Sequence, residues 1–156
     1  MIAVVQRVNE ASVLVDEVET AGEIGHGLCV LACVVEGDRA SDLEWMAGKL
    51  ARLRIFSNDE GRFDLSIQDV RGELLLVSQF TLAGDCRKGN RPSFTRAADP
   101  EIARPMLDRL AELLQKEYGV AVATGRFGGA MKVRLENDGP VTVVLSSPSS
   151  KVTGSE

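Results

Sequence analysis

Two short segments carry residue types from which a hydrolytic site could be built. The first is Ser78-Gln79-Phe80-Thr81-Leu82, which continues directly from the apolar run at residues 73–78. A chain that leaves a buried strand here presents two hydroxyls, an amide and free backbone N–H groups at a sheet edge. Such N–H groups can stabilise the oxyanion that forms when an ester carbonyl is attacked. An ordinary strand end would contain similar residues, so both interpretations stay open.

The second segment is Asn137-Asp138-Gly139-Pro140-Val141-Thr142, which lies between two apolar runs. Its glycine and proline are common turn residues, so the pattern predicts a hairpin turn between two strands. An X-Pro bond can also be cis at a modest free-energy cost, and cis prolines in folded proteins usually have a role. The sequence is compatible with either isomer.

The sequence lacks the motifs of the common hydrolase and nucleotide-binding classes. It has no G-x-S-x-G elbow, and its single histidine, His26, lies in a Gly-His-Gly turn, which argues against a Ser-His-Asp hydrolase. It also has no phosphate-binding loop and no dinucleotide fingerprint. We expect no cofactor. A catalyst of this kind must borrow a reactive group from its substrate, or use Thr81 or Ser78 unaided.

The composition predicts a single soluble domain in a reducing compartment. The chain has 156 residues, of which 44% are hydrophobic, and no apolar run approaches the roughly 20 residues that span a bilayer. The N-terminus does not resemble a signal peptide, so we expect a cytoplasmic protein without a membrane partner. Cys29 and Cys33 would lie about 13 Å apart on one strand, too far for a disulfide. With one histidine and no Cys-x-x-Cys pair, we expect no metal site.

The charge distribution restricts any contact with nucleic acid to a local surface. The net charge is −5, which argues against binding nucleic acid by bulk electrostatics. The densest basic stretch is CRKGNRPSFTR, which contains Arg87, Lys88, Arg91 and Arg96. A solvated loop is the alternative interpretation of this stretch.

The first third of the chain is typical of β structure. Residues 2–8 and 11–18 are rich in valine and are separated by Asn9-Glu10, so they predict a hairpin. Residues 28–35 form a nearly continuous apolar run, as expected for a strand covered on both faces. The apolar run at residues 73–78 predicts another buried strand.

Two amphipathic helices are predicted. Ser41 to Glu44 have the pattern of a capping box, followed by apolar residues spaced three and four apart, which predicts a helix over 42–54. In the second helix Asp99-Pro100 resembles an N-cap, but Pro105 would then fall inside the helix and remove a hydrogen bond. We therefore place the start near Arg104, with a C-terminal cap at Gly119.

Strands predicted at residues 120–124, 131–136 and 141–146 complete the domain. The order of elements lacks regular β-α alternation, which indicates an α+β fold with a mainly antiparallel, barrel-like sheet and two helices. The predicted domain covers residues 1–146. Residues 147–156 form a polar tail that we expect to be disordered.

The two segments together resemble the paired signature of the D-aminoacyl-tRNA deacylases, also called D-tyrosyl-tRNA(Tyr) deacylases. The matching sequences are SQFTLAGD and NDGPVT, in the order and at the spacing of that family. Further similar stretches are IAVVQRV at the start, RIFSNDEG, RPSFT and TGRFGGAMKV. The resemblance extends over residues 1–146.

This resemblance implies a homodimer with its active sites at the subunit interface. The pocket for the terminal adenosine of the tRNA and its amino acid would be lined by Ser78, Gln79, Phe80 and Thr81. Gly139-Pro140 would form a cis peptide that reaches into the partner's pocket, holds the substrate's ammonium group and leaves no space for an L side chain. Arg7 would brace that loop, and Phe127 and Met131 would lie near the pocket.

The resemblance also implies the reaction. The enzyme would hydrolyse the ester of D-aminoacyl-tRNA, and of glycyl-tRNA formed on tRNA(Ala), since glycine has no side chain to exclude. The free 2′-hydroxyl of the terminal ribose would assist catalysis, whereas Thr81 as a nucleophile would need a base that the sequence does not supply. The alternatives are an inactive tRNA-binding module of the same fold and a small-molecule esterase, for which no nucleophile-base pair is present.

Overall fold

A computed structural model describes residues 1–150 of the chain. The strands are β1 (Ile2–Val15), β2 (Glu19–Ile24), β3 (Gly27–Cys33), β4 (Phe56–Ser57), β5 (Phe63–Leu65), β6 (Glu73–Ser78), β7 (Ala121–Thr124) and β8 (Met131–Ser146). The helices are α1 (Ala40–Arg52) and α2 (Pro100–Lys116), and two short 3-10 helices span Phe80–Ala83 and Pro148–Ser150. No helix in this part of the chain is long and apolar enough to cross a bilayer.

The six-stranded sheet is mixed. Its strand order is β2-β1-β3-β6-β7, and β8 pairs with β1. β1 is antiparallel to β2, β3 and β8, whereas β3, β6 and β7 run parallel, with α1 and α2 as the crossovers. A Cβ added to Gly22 of β2 would lie 2.5 Å from the carbonyl oxygen of Thr124 on β7, so the two edges of the sheet approach each other. The α+β class and the barrel-like shape are confirmed, but the parallel half was not predicted.

The first strand is longer than predicted. β1 runs without interruption through Asn9-Glu10, and the turn that leads into β2 lies at residues 16–18. The predicted hairpin at Asn9-Glu10 is therefore wrong. β8 pairs with β1 along almost its whole length, with a register shift beside Asn9, and this pairing supplies the hydrogen bonds that keep the polar dipeptide extended.

The last strand is also continuous. Residues 131–136 and 141–146 belong to the single strand β8, so the predicted hairpin turn between them is wrong. The side-chain amide of Asn137 donates to the carbonyl oxygens of Arg7 (2.9 Å) and Val141 (3.0 Å), which satisfies backbone acceptors where the pairing with β1 is irregular. The Gly139-Pro140 bond in this irregular stretch is cis.

Both helices begin earlier than predicted. The N-cap of α1 is Arg39, two residues before the expected one at Ser41, and its N–H donates to the Asp42 carboxylate at 3.0 Å. This is one half of a capping box, because an arginine side chain has no acceptor for the other half. α2 begins at Pro100 after Asp99, and Pro105 lies inside it. The start expected near Arg104 is wrong, because Pro105 is exposed and water can bond to the carbonyl oxygen that its missing N–H leaves free.

The sheet buries apolar residues on both faces. One face packs against the apolar stripes of α1 and α2, and the other is covered where β1, β2 and β8 curl over it. In β3, Leu28 and Val30 belong to the first cluster and Cys29 to the second, so the prediction that this strand is covered on both faces is confirmed. Burial raises the pKa of the Cys29 thiol to about 11.

The beginning and end of the described chain are tied together. The N–H of Ser147 donates to the Met1 carbonyl oxygen at 2.9 Å, and the hydroxyl of the buried Ser150 donates to the same oxygen at 2.9 Å. The tail predicted to be disordered is therefore ordered over residues 147–150. The rest of the predicted tail, residues 151–156, lies outside the described residues.

Candidate active site

A cavity of about 400 Å³ opens at the carboxyl ends of β3 and β6. Because these two strands are parallel, their carboxyl ends lie at the same edge of the sheet. The lining is mostly apolar and comes from these strand ends, the segment before α2, α2 itself and the loop after β7. Its residues include Cys33, Ser78, Gln79, Phe80, Phe94, Ala97, Pro100, Leu107 and Phe127.

The first motif forms the exit from β6 into a 3-10 turn. The N–H of Gln79 donates to the Ala32 carbonyl oxygen at 2.8 Å, which extends the parallel pairing one residue beyond Ser78. The first hydrogen bond of the turn runs from the Leu82 N–H to the Gln79 carbonyl oxygen at 3.3 Å. Within residues 1–150 the N–H groups of Phe80 and Thr81 donate to no backbone acceptor. Two adjacent donors are thus available at the cavity edge.

Thr81 lies at the rim of the cavity. Its side chain is exposed and is not among the residues that line the cavity, whereas Ser78, Gln79 and Phe80 are. The side-chain amide of Gln79 donates to the Thr81 hydroxyl. An amide cannot remove a proton from a hydroxyl, so this contact positions Thr81 without activating it.

The single histidine lies far from this rim. His26 stacks on Phe56 with ring centroids 5.2 Å apart, and its carbonyl oxygen accepts from the Glu73 N–H at the start of β6. Ser78 is at the other end of the same strand, five residues away, which corresponds to about 17 Å at 3.3 Å per residue. The described residues also contain no group of three or more His, Cys, Asp or Glu that could hold a metal ion.

Three phenylalanines surround the cavity. Phe80 is 58% exposed, and its ring meets that of Phe94 edge to face with centroids 5.3 Å apart. Phe127 also lines the cavity, and the Arg104 guanidinium lies 5.6 Å from the centre of its ring. Apolar rings that are partly open to solvent suit a flat aromatic ligand. Phe94 was not singled out from the sequence, although it is an aromatic residue in a polar loop and belongs to the stretch RPSFT.

The second motif is held by Arg7. This residue is buried, and its Nη1 donates to the Ile55 carbonyl oxygen at 2.8 Å, while its Nε lies 3.0 Å from Oδ2 of Asp138. The guanidinium also lies 5.5 Å from the centre of the Phe63 ring. Gly139 and Pro140, which directly follow Asp138, are exposed, and Gly139 has a φ of +130°.

The two motifs lie apart within one chain. On β1, Ile2 pairs with Cys33 at the cavity, whereas Arg7 pairs with Leu28. Ile2 and Arg7 are five residues apart on β1, so the cavity and the Arg7 side chain that holds the second motif are separated by about 17 Å. Of the two further candidates, Phe127 lines the cavity, but Met131 packs against the apolar cluster on the other face of the sheet. The structure therefore does not bring Met131 or Gly139-Pro140 to the cavity of their own chain.

The sequence and fold are similar to those of a known group of proteins. The model of the D-Tyr-tRNA(Tyr) deacylase family matches residues 4–146. A D-aminoacyl-tRNA deacylase of Chlorobaculum parvum is 53% identical over 148 residues, which cover 95% of this chain and 99% of that protein. The protein of the same name from Chloroflexus aurantiacus is 56% identical over 147 residues, or 94% of this chain and 91% of that one.

Two solved structures have a similar fold. One, titled c-Myc DNA Unwinding Element Binding Protein, has a TM-score of 0.89 and 42% identity, covering 95% of this chain and 99% of that chain. The other is described as a probable eukaryotic D-amino acid tRNA deacylase. It has a TM-score of 0.79 at 20% identity, covers 92% of this chain and 97% of that chain, and shows the fold alone.

Proposed function

The chain belongs to the D-Tyr-tRNA(Tyr) deacylase family, and we propose that it hydrolyses the ester of D-aminoacyl-tRNA in the cavity at the carboxyl ends of β3 and β6. The observation that carries this assignment is that Ser78, Gln79 and Phe80 of the family motif line that cavity. A cavity of about 400 Å³ is large enough for a terminal adenosine or an aminoacyl group.

The terminal adenosine binds against the phenylalanines. The exposed ring of Phe80 offers a face on which the adenine base stacks, and base–aromatic stacking contributes about 1–3 kcal/mol of binding free energy. This places the ester beside the N–H groups of Phe80 and Thr81. These donors stabilise the oxyanion that develops on the ester carbonyl.

The substrate supplies a hydroxyl that assists hydrolysis. The 2′-hydroxyl orients the attacking water, whose oxygen bonds to the ester carbon while the bond from that carbon to the 3′-oxygen breaks and the 3′-oxygen takes up a proton. Among residues 1–150 the Thr81 hydroxyl hydrogen-bonds only to the Gln79 amide, and the histidine lies at the far end of β6, so this part of the chain positions no general base for Thr81. The 2′-hydroxyl of the terminal ribose is adjacent to the ester in every aminoacyl-tRNA that carries the amino acid on the 3′-oxygen. The protein contributes positioning and oxyanion stabilisation.

A second copy of the chain supplies chiral selection. Gly139-Pro140 lies about 17 Å from its own cavity along β1, so a partner subunit must bring this loop to the substrate. Backbone carbonyl groups of the loop bind the substrate's ammonium group and occupy the space that an L side chain would need. Glycine has no side chain, so glycyl-tRNA is also a substrate, including glycyl-tRNA formed on tRNA(Ala).

An exposed face of the sheet supports this dimer. At the cavity end of β1 and β8 the outward side chains include Val4 and Val144, which pair across the strands, and Val144 is 66% exposed. Gln6 donates to the Thr142 hydroxyl at 3.2 Å on the same face. This face lies between the cavity and the Gly139 loop, where a copy related by a twofold axis would bring each loop toward the other chain's cavity.

The direct test of the activity is a deacylation assay with D-tyrosyl-, L-tyrosyl- and glycyl-tRNA. We expect rapid hydrolysis of the D and glycyl esters and an L ester that decays only at the uncatalysed rate. Binding of tRNA without hydrolysis would instead support an inactive tRNA-binding module, and equal hydrolysis of D and L esters would contradict the proposed selection.

The dimer is tested by light scattering at micromolar concentration. The expected mass is twice the 16.8 kDa of one chain. Val144→Glu places a charge on the proposed interface and should yield monomers without D-specific activity. A fully active monomer, from either the wild type or the variant, would contradict the proposal that the loop acts in trans.

A further inference from the structure

A positively charged loop lies beside the cavity of this acidic protein. Residues 85–96, which we call the basic loop, contain four basic residues and one acidic residue, while the net charge of the chain is −5. Paired backbone hydrogen bonds between Asp85 and Ser93, of 2.8 Å and 3.0 Å, close the loop at its base. It is therefore a defined hairpin-like projection.

Aromatic contacts fix the loop relative to the cavity. Phe94 belongs to the loop, lines the cavity and packs edge to face on Phe80. A Cβ added to Gly84, the residue before the loop, would lie 3.0 Å from the Phe94 ring, so the backbone passes closely over that ring. The charged tip of the loop thus projects from the rim of the cavity.

Part of the positive charge at the tip is uncompensated. Arg87 pairs with Asp85, with Nη2 and Oδ2 2.6 Å apart, and these hydrogen bonds hold the pKa of Asp85 well below its ordinary value. Lys88 and Arg91 are exposed, and neither takes part in an ion pair among residues 1–150. Two cations without an ion pair among residues 1–150 therefore lie beside a cavity whose proposed ligand, a nucleoside with its aminoacyl ester, carries no negative charge.

We propose that Lys88 and Arg91 bind phosphate groups of the substrate's RNA close to its 3′ end. This inference rests on the proposed function, because the RNA strand must leave the cavity past its rim once the terminal adenosine is bound. Phosphate contacts from Lys and Arg position a nucleic acid without reading its sequence. In a protein with a net negative charge, such a local patch also orients the approaching RNA, since the rest of the surface repels it.

The test compares Lys88→Ala/Arg91→Ala with the wild type on two esters of D-tyrosine, full-length tRNA and adenosine alone. We expect KM for the tRNA ester to rise about tenfold at 0.1 M salt, and its dependence on salt to become shallower by about one to two in the log–log slope. The adenosine ester lacks the phosphates, so its kcat/KM should be unchanged. Lys49→Ala/Lys116→Ala, which removes the same charge from the two helices, is the matched control.

The outcomes separate this inference from the proposed function. If the wild type hydrolyses the tRNA ester and the loop variant matches it in KM and salt dependence, the inference is overturned and the proposed function stands. An equal loss on both esters would also overturn it, because the loop would then support the cavity and not the RNA. If the wild type hydrolyses neither ester, the proposed function fails and the inference is tested by the affinity for uncharged tRNA. Equal affinity of the wild type and the loop variant would then show that Lys88 and Arg91 do not bind the RNA.

Discussion

The guanidinium of Arg7 contacts Asp138 twice, since its Nε lies 3.3 Å from the carbonyl oxygen and 3.0 Å from the carboxylate of that residue. A third contact joins Arg7 to the carbonyl oxygen of Ile55. One buried side chain of β1 thus holds the residue that precedes Gly139. The position of the loop depends on a planar group with several donors, which lysine does not have.

Arg7→Lys should retain the charge but lose the simultaneous contacts with Asp138 and Ile55. Hydrogen bonds to charged groups contribute about 1.5–3 kcal/mol each, so we expect kcat/KM for D-tyrosyl-tRNA to fall at least about tenfold. Steady-state kinetics would measure this. Arg134→Lys, on an exposed position of β8, should leave kcat/KM unchanged. An Arg7→Lys enzyme with full activity and full preference for D esters would show that the loop does not need this support.

Gly139→Ala should lower activity on the D ester while the dimer persists. The φ of +130° disfavours a side chain, and the added Cβ would lie 2.6 Å from Cγ2 of Val141 and 3.0 Å from its backbone nitrogen. Gly61→Ala is the matched control, because Gly61 also has a positive φ, of +74°, but nothing lies within 4 Å of its added Cβ. Activity, melting temperature and mass would be measured for both. Equal effects of the two changes on activity would mean that only backbone strain matters.

Thr81→Ala should retain substantial activity. If the 2′-hydroxyl of the substrate does the chemistry, the variant loses only one positioning hydrogen bond, worth about 0.5–1.5 kcal/mol, so the rate should fall less than about 15-fold. D-aminoacyl-tRNA that ends in 2′-deoxyadenosine should instead be nearly inert with the wild type. A loss of about 10⁴-fold on Thr81→Ala, or a trapped acyl-enzyme, would support Thr81 as a nucleophile.

The buried Asp42 should make the fold sensitive to acid. Burial tends to raise its pKa, but hydrogen bonds from the Arg39 N–H and from Ser149 and Ser147 outweigh burial and hold the pKa at about 2, against an ordinary 3.8. Because the pKa is lower in the folded state, the stabilisation is complete above pH 3.8 and is lost as the pH falls through 2. It amounts to about 2 kcal/mol of unfolding free energy.

The comparison for this prediction is Asp42→Asn. Urea unfolding from pH 6 to pH 2 should show a less stable variant at pH 6 and a difference that narrows as the pH falls. The other carboxylates titrate in both proteins, so the difference isolates Asp42. A difference that stays constant over the whole range would contradict the assigned pKa.

The local sequence pattern predicted an element correctly where the tertiary contacts of that element favour the same conformation. The apolar stripe of α1 and the run of β6 needed no distant information, and the motif at Ser78 to Thr81 could be placed at a strand end from the apolar residues before it. The start of α2 shows the limit of this reasoning. Asp99-Pro100 is a good start for a helix, and the objection from Pro105 failed because an exposed carbonyl group can bond to water.

The errors in β1 and β8 have one common cause. Asn9-Glu10 and the stretch around Gly139 both resemble turns, yet both lie within long strands whose paired residues flank them, and these partners are more than 120 residues apart in the sequence. Such long-range pairing leaves no local signal. The role of Phe94 was missed for a similar reason, because its partner Phe80 comes from another element.

The pairing of β1 also restricts how this protein can change during evolution. Ile2 lies beside the cavity, and Arg7 holds the Gly139 loop. The residues between them therefore set the distance between the two sites and the face of the sheet to which Arg7 points. Removing one residue would shorten this span by about 3.3 Å and turn Arg7 to the opposite face of the sheet. Related chains should therefore differ in side chains along this segment while insertions and deletions accumulate elsewhere, at turns such as residues 16–18.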